Sequence, residues 1–210
     1  MKTKTSILAV MALTPTIALA QTDNRNSVSL QVGSGDADYI IAGTAYDGDI
    51  TATSFSSTLY VSDRLYFTLS RTSGEATIAG VNLETSGSSY GVGYSFGEIV
   101  DFAAGFGSEM NVGISKTDTE VTAAGATFDS DYTNVGVSFN RGLGDGVTVG
   151  LRFSTDTDNM FTDNAFGINL YKHIGSNIIV GAGFGGSKSE EDANNSATTS
   201  SLTFGAGYVF

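Results

Sequence analysis

The chain contains no cysteine and no tryptophan, one histidine, and one proline in 210 residues. Without cysteine there is no disulfide framework and no thiolate metal site, so an exported domain must hold together by pairing and packing alone. With proline confined to position 15, nothing downstream interrupts a backbone hydrogen-bond ladder. Basic residues are scarce as well: ten Lys and Arg face 22 Asp and Glu, a net charge of −12. That balance argues against a nucleic-acid partner and against electrostatic docking on anionic lipid. Nor is there any run near the ~20 continuous apolar residues that a membrane-spanning helix requires.

What is present begins with a leader. Lys2 and Lys4 form a basic start, Ile7 to Leu13 open an apolar stretch, and Ala18-Leu19-Ala20 is a small-x-small cleavage site before Gln21. Residues 1–20 therefore read as a secretory signal and 21–210 as the mature domain. Loss of Lys2 and Lys4 with the leader takes the net charge from −12 to −14.

The mature chain is rich in glycine (27 residues) and alternates apolar with small or polar residues. The terminal stretch shows the pattern. Leu202, Phe204, Ala206, Tyr208 and Phe210 share one parity, and Ser201, Thr203, Gly205, Gly207 and Val209 the other. A strand sends alternate side chains to opposite faces, so one face here is greasy and the other small. Similar alternation marks 27–33, 51–61, 64–71, 90–96, 101–115, 129–140, 147–154, 166–171 and 178–185. Short turns are expected near 62, 98, 143 and 175. Longer acidic loops are expected near 42, 78, 122, 159 and 192. Four turns and five loops join ten strands. Residues 34–50 are ambiguous, and leaving their hairpin out of the wall reduces the count to eight.

No segment has the 3.6-residue period of a helix that could cover the greasy faces, so lipid is the simplest surface to receive them. Hydrocarbon offers backbone groups no partners, which excludes an open sheet edge and forces closure. The fold expected is an all-β, transmembrane, antiparallel up-and-down barrel, with Phe96, Phe102, Phe139, Phe153, Tyr208 and Phe210 forming an aromatic girdle on the short-turn side. A soluble barrel or sandwich would instead turn the greasy face inward and put Arg64, Glu109, Arg152 and Asn169 outside.

The closing residues Gly205, Tyr208 and Phe210 spell Gly-x-x-aromatic-x-Phe. This resembles the terminal assembly signal of bacterial outer-membrane barrels. With the leader and the alternation, the whole mature chain resembles the small outer-membrane β-barrel family of Gram-negative bacteria, the OmpA/OmpX-like and opacity-protein-like barrels often labelled porin-family. The resemblance implies location in the outer membrane, contact with its lipid and lipopolysaccharide, and handling by periplasmic chaperones and the barrel assembly machinery. It implies no active-site motif.

The residues expected to line the lumen are Arg64, Tyr66, Glu109, Arg152, Asn169 and Tyr171. Inward glycines such as Gly93 and Gly181 would leave room for the tyrosines. Gly181, Gly183 and Gly186 fit a Gly-x-Gly-x-x-Gly spacing, but within a strand that opens no helix, so a phosphate-binding reading fails. His173 falls at a turn on the side opposite the long loops, away from where a barrel protease would need it, and no enzyme or cofactor is expected. Acidic residues two apart recur (Asp36/Asp38, Asp47/Asp49, Asp118/Glu120, Asp129/Asp131, Asp156/Asp158), but none completes a calcium-loop pattern, and no metal site is expected. Porin-like passage of small solutes or ions is the leading expectation. The alternative is a structural or adhesin-like barrel with a plugged lumen, whose acidic loops contact lipopolysaccharide or a host surface.

Overall fold

The computed structural model describes residues 26–99, 108–158 and 163–210. The leader and the segment carrying Phe102, Gly105 and Gly107 lie outside the described residues. Ten strands run in order: β1 (Ser27–Ile41), β2 (Thr44–Tyr60), β3 (Leu65–Ile78), β4 (Val81–Ile99), β5 (Ser108–Ala123), β6 (Ala126–Gly144), β7 (Val147–Asp156), β8 (Asn164–Ile174), β9 (Ile178–Asp192) and β10 (Asn195–Val209). Each pairs antiparallel with its neighbours in sequence, and β1 closes on β10. No described helix is long and apolar enough to cross a membrane.

The first hairpin is therefore in the wall, and the count is ten, not eight. Register gives the tilt. Following paired residues from Leu30 through Phe55, Arg71, Ser88 and Asp118 reaches Asp131 of β6. Going the other way, through Ala206, Val180, Lys172 and Val147, reaches Gly144 of the same strand. That offset is the stagger of a closed barrel whose strands incline to its axis.

Near the termini the wall is apolar outside. Leu30, Phe55, Phe67, Ile114, Ile168, Phe204 and Phe210 all point away from the axis and are exposed. The inward positions at this level are small or polar, including Ser29, Gln31, Ser56, Asn111, Asn140 and Thr203, all buried. Phe153 departs from the girdle expected on the turn side: it opposes Phe166 at the start of β8, toward the far end of the wall.

Four of the five long acidic loops are not loops. The stretches near 42, 78, 122 and 192 are strand, which carries β1–β6, β9 and β10 well beyond the apolar belt. Their tips are two-residue turns. In three of them, Ala42-Gly43, Ala79-Gly80 and Ala124-Gly125, both residues have positive φ, the mirror-image turn that matches strand twist. β7 ends at Asp156 and β8 begins at Asn164, and residues 159–162 of the loop expected between them lie outside the described residues. On the short-turn side, Gly97 (φ 72°) forms a bulge inside β4 instead of a turn, and the β4–β5 connection falls outside the described residues. Gly142 likewise belongs to a bulge, leaving Asp145-Gly146 as the turn.

In this far tier the alternation inverts. Asp36, Asp38, Asp47, Asp49, Glu75, Glu84, Asp118, Glu120, Asp129 and Asp131 face outward. Ala37, Tyr39, Ile50, Ala76, Ile78, Leu83 and Ala197 face inward and pack into one buried cluster, with Tyr46 and Ala123 against it. Charged outside and apolar inside is the pattern of a protein in water. The tier is tied across its top where Asn194 O accepts from Gly43 N (2.9 Å) and Asn195 Oδ1 from Ala42 N (3.1 Å).

Candidate functional site

The lumen within the apolar belt holds a set of inward ionisable groups around Glu109 and Arg152. Glu109, near the start of β5, accepts from Ser95 Oγ of β4 (2.9 Å). Across from it stand Tyr60 and Tyr66, at the two ends of the β2–β3 turn, with ring centroids 5.2 Å apart. The Tyr66 phenol interacts with both Glu109 and Arg152. Arg152, inward on β7, also interacts with the Tyr171 phenol on β8. Tyrosines thus stand between one carboxylate and one guanidinium, and this level of the lumen carries balanced charge.

Glycines make space for these rings. A Cβ at Gly93 would strike the Tyr66 ring, and one at Gly181 would lie 2.8 Å from Tyr171 Cδ1. Asn169 occupies the surface left open by Gly183, where any Cβ would collide with its Oδ1. Below Tyr171, Ile179 and Val209 complete a small buried apolar cluster at the termini end. His173 lies inward at that end, with its backbone N–H bonded to Gly146 O (2.8 Å).

The structure places Tyr66, Glu109, Arg152, Asn169 and Tyr171 on the inward face. Arg64 is a correction: it sits in the turn between β2 and β3, fully exposed, with its Nη1 donating to the Tyr94 hydroxyl at 3.4 Å. That contact raises its guanidinium further above its usual value. Parity alone put it inside, but β3 begins only at Leu65, so Arg64 has no strand geometry to direct it. The terminal residues lie where the wall closes. Phe210 N donates to Asn26 O (2.9 Å), the Tyr208 and Phe210 rings stack at 6.4 Å on the outer face, and inward Gly205 lies between Gln31 and Gly181.

Sequence reasoning missed the inward cluster of the far tier. Tyr39 is its largest member, 2 % exposed, with a hydroxyl that has no hydrogen-bond partner among the described residues. Burial raises its phenol well above the usual value. The missed signal was alternation of the opposite sense, as in Glu75-Ala76-Thr77-Ile78 and Val81-Asn82-Leu83-Glu84.

The acidic pattern also changes. Residues two apart on one strand are joined by closer partners across the ladder: Asp36 opposes Asp49, Asp38 opposes Asp47, Glu75 opposes Glu84, Asp118 opposes Asp131 and Glu120 opposes Asp129. Directly opposed like charges destabilise a sheet. Lys116 relieves one pair through an ion pair with Asp131 (3.1 Å), which raises its own pKa. Among the described residues no group of three or more metal-ligating side chains comes together.

Comparison with solved structures fits this geometry. The translocator domain of the autotransporter NalP from Neisseria meningitidis superposes with a TM-score of 0.53 at 10% identity, covering 89% of this chain and 88% of that one. Neisserial surface protein A covers 87% of this chain and 97% of its own at 12% identity, TM-score 0.44. The KdgM porin covers 88% and 99% at 8% identity, TM-score 0.37. No protein-family model and no curated protein matches the sequence. At such identities the likeness concerns fold alone, and that fold is the outer-membrane β-barrel.

Proposed function

We propose that this chain is exported by residues 1–20 and resides in a Gram-negative outer membrane. In this reading it is a barrel with a closed lumen that acts through the acidic tier it holds above the lipid. What supports the reading is the buried cluster of Tyr39, Ile50, Ile78 and Leu83, apolar side chains packed together on the inward face of β1–β4 at the far end. Even strand number puts both termini on the periplasmic side, so the far tier faces outward. Lipopolysaccharide is its nearest neighbour there. Gly205, Tyr208 and Phe210, at the seam where β10 meets β1, serve as the signal read by the assembly machinery after periplasmic chaperones deliver the chain.

Porin-like passage is the competing reading, favoured by the polar lumen with Glu109 and Arg152. Planar-bilayer recording on the purified mature barrel separates the two. A silent bilayer is expected, and steady unitary currents would restore the porin reading.

A further inference from the structure

Outward charges on three strands are ordered by height. Climbing β3 away from the termini, the outward residues are Leu65, Phe67 and Leu69, then Arg71, then Ser73 and Glu75. β5 repeats the order with Val112, Ile114, Lys116, Asp118 and Glu120. So does β9, with Val180, Ala182, Phe184, Gly186, Lys188 and Glu190. On each strand one cation separates the lipid-facing residues from the acids. That is the height of a lipid headgroup, between hydrocarbon and water, and long basic side chains reach it from the wall.

The three cations differ in what they hold. Lys188 Nζ pairs with Glu190 (2.6 Å) and Lys116 Nζ with Asp131 (3.1 Å). Arg71 is exposed and makes no hydrogen bond or ion pair with any described residue. Its cross-strand neighbours are Phe55 on β2 and Ser88 on β4, neither of them charged. On its own strand the first acid is Glu75, four residues higher and roughly 13 Å of backbone away. Between Arg71 and Lys116, β4 presents Ser88 and Tyr90. Tyr90 opposes Leu69 on one side and Lys116 on the other, and its exposed phenol interacts with the Lys116 ammonium. Arg71 and Lys116 lie on strands two spacings apart, about 10 Å, so both side chains can reach one group held over β4. Residues 100–107 connect β4 to β5 at the opposite end of these strands, and 159–162 connect β7 to β8 further round the wall.

We infer that the outer face of β3–β5, at the top of the apolar belt, binds a phosphate on the lipid anchor of lipopolysaccharide between Arg71 and Lys116. Two features select this ligand. A guanidinium matches phosphate oxygens in pairs, an ammonium adds a compact charge, and the Ser88 and Tyr90 hydroxyls can donate. The site also opens directly onto exposed Leu69 and Ile114, so one molecule meets cations with its phosphate and apolar wall with its acyl chains. A free phosphate would gain only the polar half. The net negative charge, which argues against docking by the surface as a whole, belongs mainly to acids higher on the wall. The inference rests on the membrane placement proposed above and is indifferent to whether the lumen conducts.

The test uses the full mature barrel folded in a neutral detergent, the lipid anchor of lipopolysaccharide with its phosphates and the same lipid stripped of them. Native mass spectrometry counts the lipid retained. The phosphorylated form should bind, and the stripped form about tenfold more weakly. Millimolar inorganic phosphate should not displace it; displacement would assign the site to a free anion and overturn the lipid. Arg71→Gln should weaken retention by roughly tenfold, with Arg71→Lys restoring part of it. Lys188→Gln, on the opposite side of the wall, should change nothing, and an equal loss there would mean diffuse attraction and overturn the site. Asp131→Asn releases Lys116 and should tighten retention by about threefold, whereas weaker retention would make the Lys116–Asp131 pair a brace of the wall and count against the inference. A mature chain that folds in no detergent or bilayer sinks the membrane placement and this inference with it. A folded barrel that retains both lipids equally sinks the inference alone.

Discussion

Tyr39 carries the clearest residue-scale consequence. Its ring fills the far cluster beside Gly48 and Ile78, while its hydroxyl is buried with no partner among the described residues. An unsatisfied buried hydroxyl costs about 1–3 kcal/mol. Tyr39→Phe keeps the packing and removes that cost, so the far tier should gain roughly 1 kcal/mol at neutral pH. The pH dependence follows from the raised phenol. Below about pH 10 the residue is neutral whether folded or unfolded, and titration changes nothing. Above it the unfolded chain ionises first, so stability falls as pH climbs toward the folded value. Melting curves at pH 8 and pH 11 should show a larger alkaline loss for the wild type than for Tyr39→Phe. Equal losses would mean the phenol ionises in place.

At the level of elements, the tight turns of the far hairpins are where the sequence is least at ease. Ala79 adopts φ 50° before Gly80 at 78°, and Ala42 and Ala124 repeat this. A left-handed conformation costs a residue with a Cβ roughly 1–2 kcal/mol, less for asparagine. Ala79→Asn, which installs the favoured Asn-Gly turn, should stabilise the β3–β4 hairpin by about 0.5–1 kcal/mol. Gly80→Ala should do the reverse, with both read by hydrogen exchange at the tip. These turns also explain what was legible. The ten strands were readable because every segment in the belt alternates with its apolar residues outward. The far extensions were not, because polar residues such as Lys116-Thr117-Asp118-Thr119-Glu120 resemble a loop when apolar residues alone mark a wall. Period two persists there with its sense reversed, and Ala-Gly lacks the Asn-Gly or Asp-Gly form of a hairpin turn. At the site, parity found Tyr66, Glu109, Arg152, Asn169 and Tyr171. It failed for Arg64, one residue before its strand begins.

The whole molecule combines two solvation regimes in one continuous wall. The belt near the termini is stabilised by lipid against its outward leucines and phenylalanines, and its inside can be polar. The far tier stands in water, so its inside must be apolar, and the same strands switch sense between Gln31 and Ala37 on β1 and between Ser54 and Ile50 on β2. The closure proposed above would follow from solvation: a tier in water that left its lumen open would hydrate the apolar groups that hold it together. Truncating those groups should therefore open a path without dissolving the belt, whose ladder and lipid contacts are separate. Ile50→Ala, Ile78→Ala and Leu83→Ala each remove about 2–5 kcal/mol from the far cluster. Combined, they should give a barrel that still resists unfolding in detergent and passes ions where the wild type is silent. The current should then respond to Glu109→Gln and Arg152→Gln in opposite directions of cation preference, because these become the charges lining the exposed lumen. A triple variant that stays folded and silent would place the block lower, at the Tyr60–Tyr66 pair.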